Sequence, residues 1–336
     1  IANVKELTDK NSKLLRHHLK SLKEKGINEI DLVCGGPPCQ AYSGIGHRRS
    51  YSTDRKNQPM AKLYEDMAKI IQVVNPKLFL FENVRGLLTA RWTKEGEKGE
   101  IFEDVVKTFA SIKGYKIAWN LLHAKNYGVP QNRPRIFLLG VRNDLDFFKN
   151  YKPESFGQQK LTSHKYPRQK SVEKLEKAIE WGLLPRKQDS SESPDIEEVI
   201  GDLIDLNYKK EYNTEEYPHP AISDFQRMMR TDRSGKVKRK ASPVLEHSYS
   251  KHSKKVESKF KFMIKNKIKR VKDLPKRYRI NKFSQKVLPR KWGVSGPSIT
   301  VTSLPDDYVH YEQPRILTVR EWARLQTFPD YCVFHG

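Results

Sequence analysis

The stretch Glu29–Gln40, EIDLVCGGPPCQ, decides the fold that the sequence predicts. A short apolar run ends at Gly35-Gly36-Pro37-Pro38, a pattern typical of a buried strand that is followed by a turn. Cys39 comes directly after the prolines, and a glycine-rich, basic segment, AYSGIGHRR, follows it over residues 41–49. The stretch therefore predicts a strand that presents a cysteine at the tip of a turn.

Strand and helix patterns alternate from this stretch to about residue 150. Apolar residues at helical spacing indicate one helix that ends at Asn75-Pro76 and a second that ends at Gly114. Their apolar stripes comprise Leu63, Met67, Ile70, Ile71 and Val74, and Phe102, Val105, Val106, Phe109 and Ile112. Three further apolar runs, KLFLFEN, YKIAWNLLHA and RIFLLGVR, indicate strands. The alternation predicts an α/β fold with a mostly parallel sheet and helices on its faces.

Positive charge is concentrated beyond this region. The formal net charge is +24, and the segment from Arg227 to Lys291 contains 24 Lys and Arg against 4 Asp and Glu. Such an excess commonly indicates a polyanionic partner, usually nucleic acid. Aromatic residues interleave with the basic ones, namely Tyr249, Phe260, Phe262, Tyr278 and Phe283. Because regular periodicity is weak between residues 151 and 295, we predict a second, irregular domain there.

A short helix is predicted near the end of the chain, in the segment LTVREWARLQTFPD from Leu317 to Asp330. Thr318 and Glu321 have the spacing of a capping box, and Pro329 lies beyond the predicted helix. Regular structure is therefore expected to return after the irregular domain.

Composition excludes several classes of protein. No apolar run approaches the roughly 20 residues needed to span a bilayer, and the first residues lack the apolar core of a signal peptide. Three cysteines, Cys34, Cys39 and Cys332, are too few and too scattered for a disulfide framework or a zinc site. These features predict a soluble protein of the reducing cytoplasm, without a metal site or a membrane association.

Candidate chemical groups lie where the predicted strands end. In open α/β sheets ligands bind beyond the carboxyl ends of the strands, and Cys39 and Glu82-Asn83 follow two such strands. A cysteine there can act as a nucleophile, and a carboxylate can donate or accept a proton. Structural alternatives exist for each type of residue. Glu82 can simply end a strand, Cys34 is expected to be a small buried hydrophobic residue, and Cys332 is expected to be structural.

Gln131, Arg133 and Arg135 form a further candidate group. They alternate with Asn132 and Pro134 where a strand is predicted to begin, so their side chains are expected to point to one face. Two guanidinium groups and an amide on one face can hold a planar, oxygen-rich ligand such as a base or a phosphate. The alternative is a solvated basic edge.

Four sequence blocks occur in a fixed order: GGPPCQAYS, FENVRGLL, QNRPRIFLLG and RILTVREWARLQTFPD. Together they resemble the ordered motifs of DNA (cytosine-5) methyltransferases of the bacterial restriction–modification type, over residues 29–142 and 296–336. The resemblance implies a Rossmann-like, S-adenosylmethionine-dependent methyltransferase sheet within residues 1–150. It also implies a basic target-recognition domain within residues 151–295, and a hinge and return segment to the catalytic domain within residues 296–336.

The resemblance also implies a reaction and the residues that perform it. Cys39 is implied as the nucleophile that adds to C6 of a cytosine flipped out of a specific duplex DNA sequence. Glu82 would donate a proton or a hydrogen bond to N3 of the base, and Arg135, with Arg133 near it, would hold the base O2 and neighbouring groups. The implied DNA contacts are Gln40, Ser43, Asn83 and Gln131.

S-adenosylmethionine is the cofactor that the resemblance implies, with contacts from Leu63, Pro38 and Ile1. The family's glycine-rich cofactor loop and its final Gly-Asn-x-Val block have no counterpart here, so we expect a chain truncated at both ends relative to the family. A companion restriction endonuclease and action as a monomer on DNA are further expectations.

Two alternatives stay open at this point. An RNA (tRNA) cytosine-5 methyltransferase has the same fold, but that branch typically carries a Cys-Phe-Thr tripeptide in its recognition region, which this sequence lacks. A catalytically silent DNA-binding chain on the same scaffold would fit the missing cofactor motifs. It would not need all of Cys39, Glu82, Arg133 and Arg135.

Overall fold

The computed structural model describes residues 4–8, 13–38, 62–93, 95–145, 193–268, 270–279, 285–294, 296–301 and 305–335. The chain forms two compact units, of which unit 1 comprises Ile1–Leu122 and Pro134–Arg186, and unit 2 comprises His123–Arg133 and Lys187–Gly336. Within the described residues, no helix is long and apolar enough to cross a membrane.

Among the described residues, this division differs from the expected ranges in two places. Residues 123–133 belong to unit 2, because the Asn132 N–H donates to the Ile299 carbonyl over 2.6 Å and the Thr300 hydroxyl donates to the Asn132 carbonyl over 2.5 Å. Residues 296–336 belong to unit 2 as well, rather than forming a separate segment. The functions expected for the three ranges stay predictions.

Unit 1 contains four helices and a four-stranded sheet among its described residues. The helices are α1 (Val4–Thr8), α2 (Lys13–Glu24), α3 (Leu63–Val74) and α4 (Glu100–Ala110), and a 3-10 helix spans Arg85–Thr89. The strands are β1 (Leu32–Gly35), β2 (Leu78–Val84), β3 (Tyr115–His123) and β4 (Pro134–Arg142). Each element coincides with a predicted apolar pattern except α1 and α2, and β1 begins three residues later than the EIDLVC run.

The order of the sheet is β1-β2-β4-β3, with β1 parallel to β2 and β4 antiparallel to β2. The predicted sheet is thus mixed, with β4 as an antiparallel neighbour of β2. The connection between β3 and β4, residues 124–133, contains a 3-10 helix over Ala124–Tyr127 but no crossover helix. A parallel neighbour would need a crossover of a dozen or more residues, and the shorter connection suits a reversal of direction.

One face of the sheet packs against α3 and α4. Phe79 and Phe81 of β2 and Ile136 and Leu138 of β4 lie on this face and are buried with the apolar residues of both helices. Gly140 pairs with Phe79, and a Cβ at this position would lie 1.9 Å from the phenylalanine ring, so only glycine fits. The predicted apolar stripes thus form the core of unit 1.

The opposite face of the sheet carries Cys34 and Glu82. Successive residues of a strand point to opposite faces, and β2 alternates between half-buried and buried positions along its whole length. Cys34 pairs with Leu80 on the half-buried face and is exposed among the described residues. The expectation that Cys34 is buried is wrong, because the described helices α3 and α4 pack on the other face.

Unit 2 has little regular structure among its described residues, as predicted for the second domain. Its helices are α5 (Ile196–Ile200), α6 (Asp224–Arg230), α7 (Lys254–Lys265) and α8 (Val319–Leu325), and β5 (Lys286–Val287) pairs with β6 (Tyr308–Val309) in parallel. Helix α8 is the predicted short helix, and Thr318 and Glu321 form its capping box. Helices α5, α6 and α7 were not predicted.

A cluster of buried charges lies in unit 2 and is named here the ionic cluster: Asp202, Arg230, Arg324 and Asp330. Their side chains are 0–1% exposed. Arg324 bonds both carboxylates, and Arg230 donates to Asp202 through Nε (2.8 Å) and Nη2 (2.5 Å). Buried charges are tolerated only when paired and hydrogen-bonded, and this mutual pairing meets that condition. The cluster joins α6, α8, the 3-10 helix Gly201–Leu203 that follows α5, and Asp330 beyond the end of α8.

Candidate active site

Glu82 and Arg135 form an ion pair at the end of β2. Arg135 Nε lies 2.8 Å from Glu82 Oε1, and the two side chains are 18% and 38% exposed, respectively. The register explains the pair: Glu82 is opposite Phe137, so Arg135, two residues earlier on β4, lies diagonally across on the same face. Arg135 Nη1 also donates to the Pro134 carbonyl over 2.8 Å, which restrains the guanidinium. The strand pairing brings a carboxylate and a fixed cation together.

Asn83 lies on the buried face of β2 and is 3% exposed. Its Nδ2 donates to the Pro37 carbonyl over 3.1 Å, and its Oδ1 accepts from the Val84 N–H over 2.9 Å. The bond to Pro37 joins the end of β2 to the turn that follows β1, two residues before Cys39. Through this bond Asn83 positions the turn at Pro37. The DNA contact that the resemblance implies for Asn83 stays a prediction.

Gly36 lies next to the Glu82 carboxylate. A Cβ at Gly36 would be 3.0 Å from Glu82 Oε2, so a larger residue would press on the carboxylate. Gly35 is packed in the same way, since its Cβ would lie 3.0 Å from Sδ of Met67 on α3. The two glycines therefore let the end of β1 approach both Glu82 and α3, which is a physical reason for the pair of glycines before the prolines.

Four of the predicted site residues, Cys39, Gln40, Ser43 and Ile1, lie outside the described residues. Of the other implied cofactor contacts, Pro38 is exposed, and Leu63 is half-buried as the first residue of α3, one turn before Met67. Both side chains offer accessible apolar surface, which suits an uncharged purine ring. Among the described residues, no group of His, Cys, Asp or Glu could hold a metal ion.

Gln131 and Arg133 belong to unit 2 and precede β4, so the expected strand alternation does not include them. Gln131 is 3% exposed, and its amide donates to the Leu325 carbonyl over 3.2 Å and accepts from the Val301 N–H over 3.3 Å. Arg133 Nη1 donates to the Val301 carbonyl over 3.4 Å. Gln131 thus ties this segment to the end of α8 and is not presented to solvent. The roles implied for both residues stay predictions.

The basic segment of unit 2 separates into a buried apolar side and a charged surface. Tyr249 and Phe260 are buried, and Phe262 stacks on Tyr278 with ring centroids 4.4 Å apart. Phe260, Phe262 and Tyr278 belong to the core under α7, whereas Tyr249 packs against Tyr208 and His247. Four lysines of α7 lie outside and are exposed, namely Lys254, Lys255, Lys261 and Lys265, whereas Lys259 is buried and donates to Gln285 Oε1 over 2.5 Å. Lys254, Lys261 and Lys265 are spaced by seven and four residues and form one stripe along the helix.

Local sequence patterns did not reveal which side chains hold the candidate site and the ionic cluster together. The positioning role of Asn83 could have been suspected, because a polar residue in the buried register of a strand needs a hydrogen-bond partner. Part of the ionic cluster could have been suspected as well, because the last motif places Arg324 and Asp330, together with Arg320, within one short segment. Its central acid, Asp202, is separated from Arg324 by 122 positions and gave no such signal.

The fold of the chain is that of a DNA-modifying methyltransferase. A crystal structure of an E. coli protein encoded within a prophage, described as a DNA modification methyltransferase, superposes with a TM-score of 0.56 at 19% identity, covering 96% of this chain and 77% of that one. At this identity the match establishes the fold. The chain belongs to the C-5 cytosine-specific DNA methylase family, whose model matches residues 3–336. The family resemblance drawn from the four motifs is confirmed.

Two relatives illustrate the similarity. The type II methyltransferase M.DdeI of Desulfomicrobium norvegicum is 28% identical over 318 residues, which is 92% of this chain and 65% of that protein. The type II methyltransferase M.Bpa9945I of Bacillus paralicheniformis is 29% identical over 342 residues, which is 94% of this chain and 66% of that protein. The chain thus spans slightly less than two thirds of the length of these relatives.

Proposed function

We propose that the protein transfers the methyl group of S-adenosylmethionine to C5 of a cytosine flipped out of duplex DNA, with Cys39 as the nucleophile. The observation that supports this most directly is the Glu82–Arg135 ion pair, 2.8 Å long, beside the turn that Asn83 holds at Pro37. A carboxylate, a fixed guanidinium and the start of the cysteine segment are the groups that addition to a cytosine ring requires.

The first step is addition of the Cys39 thiolate to C6. A bond forms between sulfur and C6, and the electrons of the C5–C6 double bond move toward N3 and the base O2. Glu82 supplies a proton to N3. Among the described residues Arg135 bonds Oε1 only, so Oε2 is the oxygen available to carry that proton. Arg135 keeps the carboxyl group oriented by holding the other oxygen.

The addition makes C5 electron-rich, and C5 then takes the methyl group. S-adenosylmethionine, when bound, supplies an electrophilic methyl group on a sulfonium. Leu63, Pro38 and Ile1 are the residues of this chain proposed to contact it, the first two through apolar surface that is accessible in the structure. Loss of the C5 proton to water, elimination of the thiolate and return of the N3 proton to Glu82 then restore the aromatic ring and free Cys39.

Duplex DNA is the proposed substrate, and the charged surface of unit 2 supports it. The lysine stripe of α7, Lys254, Lys261 and Lys265, faces away from the apolar core and can neutralise phosphates. Each phosphate neutralised on B-DNA adds about −0.9 to the slope of log affinity against log salt. A steep salt dependence is therefore expected.

By analogy with type II relatives, we also propose a companion endonuclease, action as a monomer and a cytoplasmic location.

The proposal is tested with the full-length protein, methyl-labelled S-adenosylmethionine and duplex DNA that contains 5-fluorocytosine. Fluorine at C5 cannot leave as a proton does, so elimination is blocked and Cys39 stays bonded to C6. We expect a complex that survives SDS with the wild type and with the controls Cys34→Ala and Cys332→Ala, but not with Cys39→Ser. A complex that persists in Cys39→Ser would refute the nucleophile. Label in tRNA instead of DNA would support the RNA alternative, and salt-sensitive DNA binding without any transfer would support a silent DNA-binding chain.

A further inference from the structure

A tight β-hairpin, residues 230–238 and named here the tip hairpin, projects from the end of α6. Thr231 bridges Val237 in antiparallel fashion, and the Lys238 N–H donates to the Arg230 carbonyl over 3.1 Å. The Asp232 N–H donates to the Lys236 carbonyl over 2.9 Å. Residues 233–237 are all exposed. The hairpin is thus a narrow two-stranded ribbon with a solvent-facing turn.

The turn of the tip hairpin is internally ordered. Asp232 Oδ1 accepts from the Ser234 N–H (2.9 Å), the Ser234 hydroxyl (2.6 Å) and the Lys236 N–H (3.1 Å). Gly235 closes the turn with a φ of +84°, a conformation that glycine adopts without strain. The hydrogen bonds from the Ser234 side chain and the Lys236 backbone lower the pKa of Asp232. Its carboxylate is therefore already hydrogen-bonded within the turn.

The base of the tip hairpin is fixed by the ionic cluster. Arg230, the last residue of α6, has a side chain that is 0% exposed and pairs with Asp202. Its guanidinium also donates to the His219 carbonyl over 2.8 Å and lies 3.8 Å from the centroid of the Tyr217 ring. Buried ionic groups with several partners hold one geometry. The ribbon therefore projects from a fixed base.

Arg233 is the outermost arginine of the turn and is held in place by an aromatic residue. Its guanidinium carbon lies 5.4 Å from the ring centroid of Tyr331, within the range of a cation–π contact. Stacking keeps the planar side chain ordered while its donors stay exposed, which reduces the entropy lost on binding. Lys236 is also exposed, so both long side chains of the turn carry positive charge and hydrogen-bond donors.

We propose that the tip hairpin enters the major groove and that Arg233 determines specificity by binding O6 and N7 of a guanine in the recognition sequence. The major groove admits a two-stranded β-ribbon, and arginine pairs bidentately with guanine through these two acceptors. The inference rests on the proposed function, because it assumes that duplex DNA is the substrate. The lysine stripe of α7 provides the contrast, since lysines spaced along a helix surface suit phosphates and carry no sequence information.

The test uses the full-length protein and a library of random duplex DNA, with methylated cytosines located by bisulfite sequencing. The wild type is expected to give one recognition sequence that contains guanine. In Arg233→Lys, which keeps the charge but loses the forked donor, discrimination at one guanine position should fall about 5- to 150-fold. In the control Lys265→Ala, methylation should weaken uniformly over all sequences while the recognition sequence stays the same.

A second measurement shows whether Arg233 acts through direct contact. 7-Deazaguanine lacks the N7 acceptor, so replacing the sensitive guanine with it should reduce methylation by the wild type but cause no further loss in Arg233→Lys. If the wild type methylates a defined sequence and Arg233→Lys keeps the same preference, the inference is wrong and the proposed function stands. If the wild type methylates no cytosine, the proposed function fails and the inference fails with it.

Discussion

The side chain of Asn83 donates a hydrogen bond to the Pro37 carbonyl over 3.1 Å, and so connects the end of β2 to the turn that precedes Cys39. The two residues are 46 positions apart, and Asn83 is 3% exposed. A buried amide with both of its functions bonded restricts where the turn can lie. The place from which the cysteine segment departs is thus set by β2.

Asn83→Asp is expected to remove the hydrogen bond that connects β2 to this turn. The substituted residue keeps an oxygen for the Val84 N–H but can no longer donate to Pro37. A buried acceptor left without its donor costs about 1–3 kcal/mol in free energy of unfolding. We expect this loss together with a lower single-turnover rate of methyl transfer at saturating DNA. Lower stability with a wild-type transfer rate would mean that Asn83 does not position the cysteine segment.

Glu82→Gln is expected to slow methyl transfer by a factor of about 10² to 10⁴, the usual contribution of a positioned acid. The amide keeps the size of the side chain but cannot deliver a proton to N3. Arg135→Ala should slow transfer less, and Glu82→Gln with Arg135→Ala together should be no slower than Glu82→Gln alone, because Arg135 is proposed to act through Glu82. Rapid-quench measurement with saturating DNA checks this. Strictly additive losses would show that Arg135 acts independently.

Asp202→Asn is expected to destabilise unit 2 strongly. Its carboxylate accepts from both Arg230 and Arg324, all three side chains are fully buried, and breaking such a pair typically costs about 3–5 kcal/mol. Urea unfolding measures the change. The matched control is Arg290→Ala, whose side chain is 54% exposed and pairs with Glu312 at 2.7 Å, and which should change the free energy of unfolding by no more than about 0.5 kcal/mol. Equal effects of the two substitutions would contradict the role of the ionic cluster.

Acidification is expected to weaken unit 2 through His310. Its Nδ1 accepts from the Glu312 and Gln313 N–H groups, and complete burial, with the nearby Arg315, lowers its pKa to about 3. The folded protein therefore keeps His310 neutral while the unfolded chain, with a pKa near 6.5, takes up a proton. The stabilisation is complete above pH 6.5 and is lost as the pH falls toward 3. Between pH 7.5 and 5.5 the loss is about 1.4 kcal/mol.

The neighbouring groups do not reverse this sign. His247 is also buried with a lowered pKa, so it adds to the loss. Burial alone would raise the pKa of Glu321, but the Arg315 guanidinium outweighs burial and lowers it. Protonation of this carboxylate therefore affects the free energy of unfolding only below this pH range. Urea unfolding of His310→Gln should show a smaller difference between pH 7.5 and 5.5 than the wild type, whereas the exposed His17→Gln should behave as the wild type does. An unchanged difference in His310→Gln would refute the assignment.

Local patterns predicted much of the fold correctly. The apolar stripes of α3 and α4 and the runs of β2, β3 and β4 were visible because side chains on one face recur every three to four residues in a helix and every two in a strand. The direction of β4 was not predicted, and the exposure of Cys34 was predicted wrongly. Both depend on which strands are neighbours and which face the helices cover, and neither property has a local pattern.

The sequence by itself determined the family, the order of the four motifs, the candidate nucleophile and the concentration of positive charge, because each is carried by residue identity and short spacing. Tertiary structure alone decided that Glu82 meets Arg135, that Asn83 holds Pro37, and that Asp202 binds two arginines beneath the tip hairpin. The physical reason is that hydrogen bonds and ion pairs form only when the two polar atoms lie within about 4 Å of each other. Such distances between residues far apart in the chain are set by strand register and core packing.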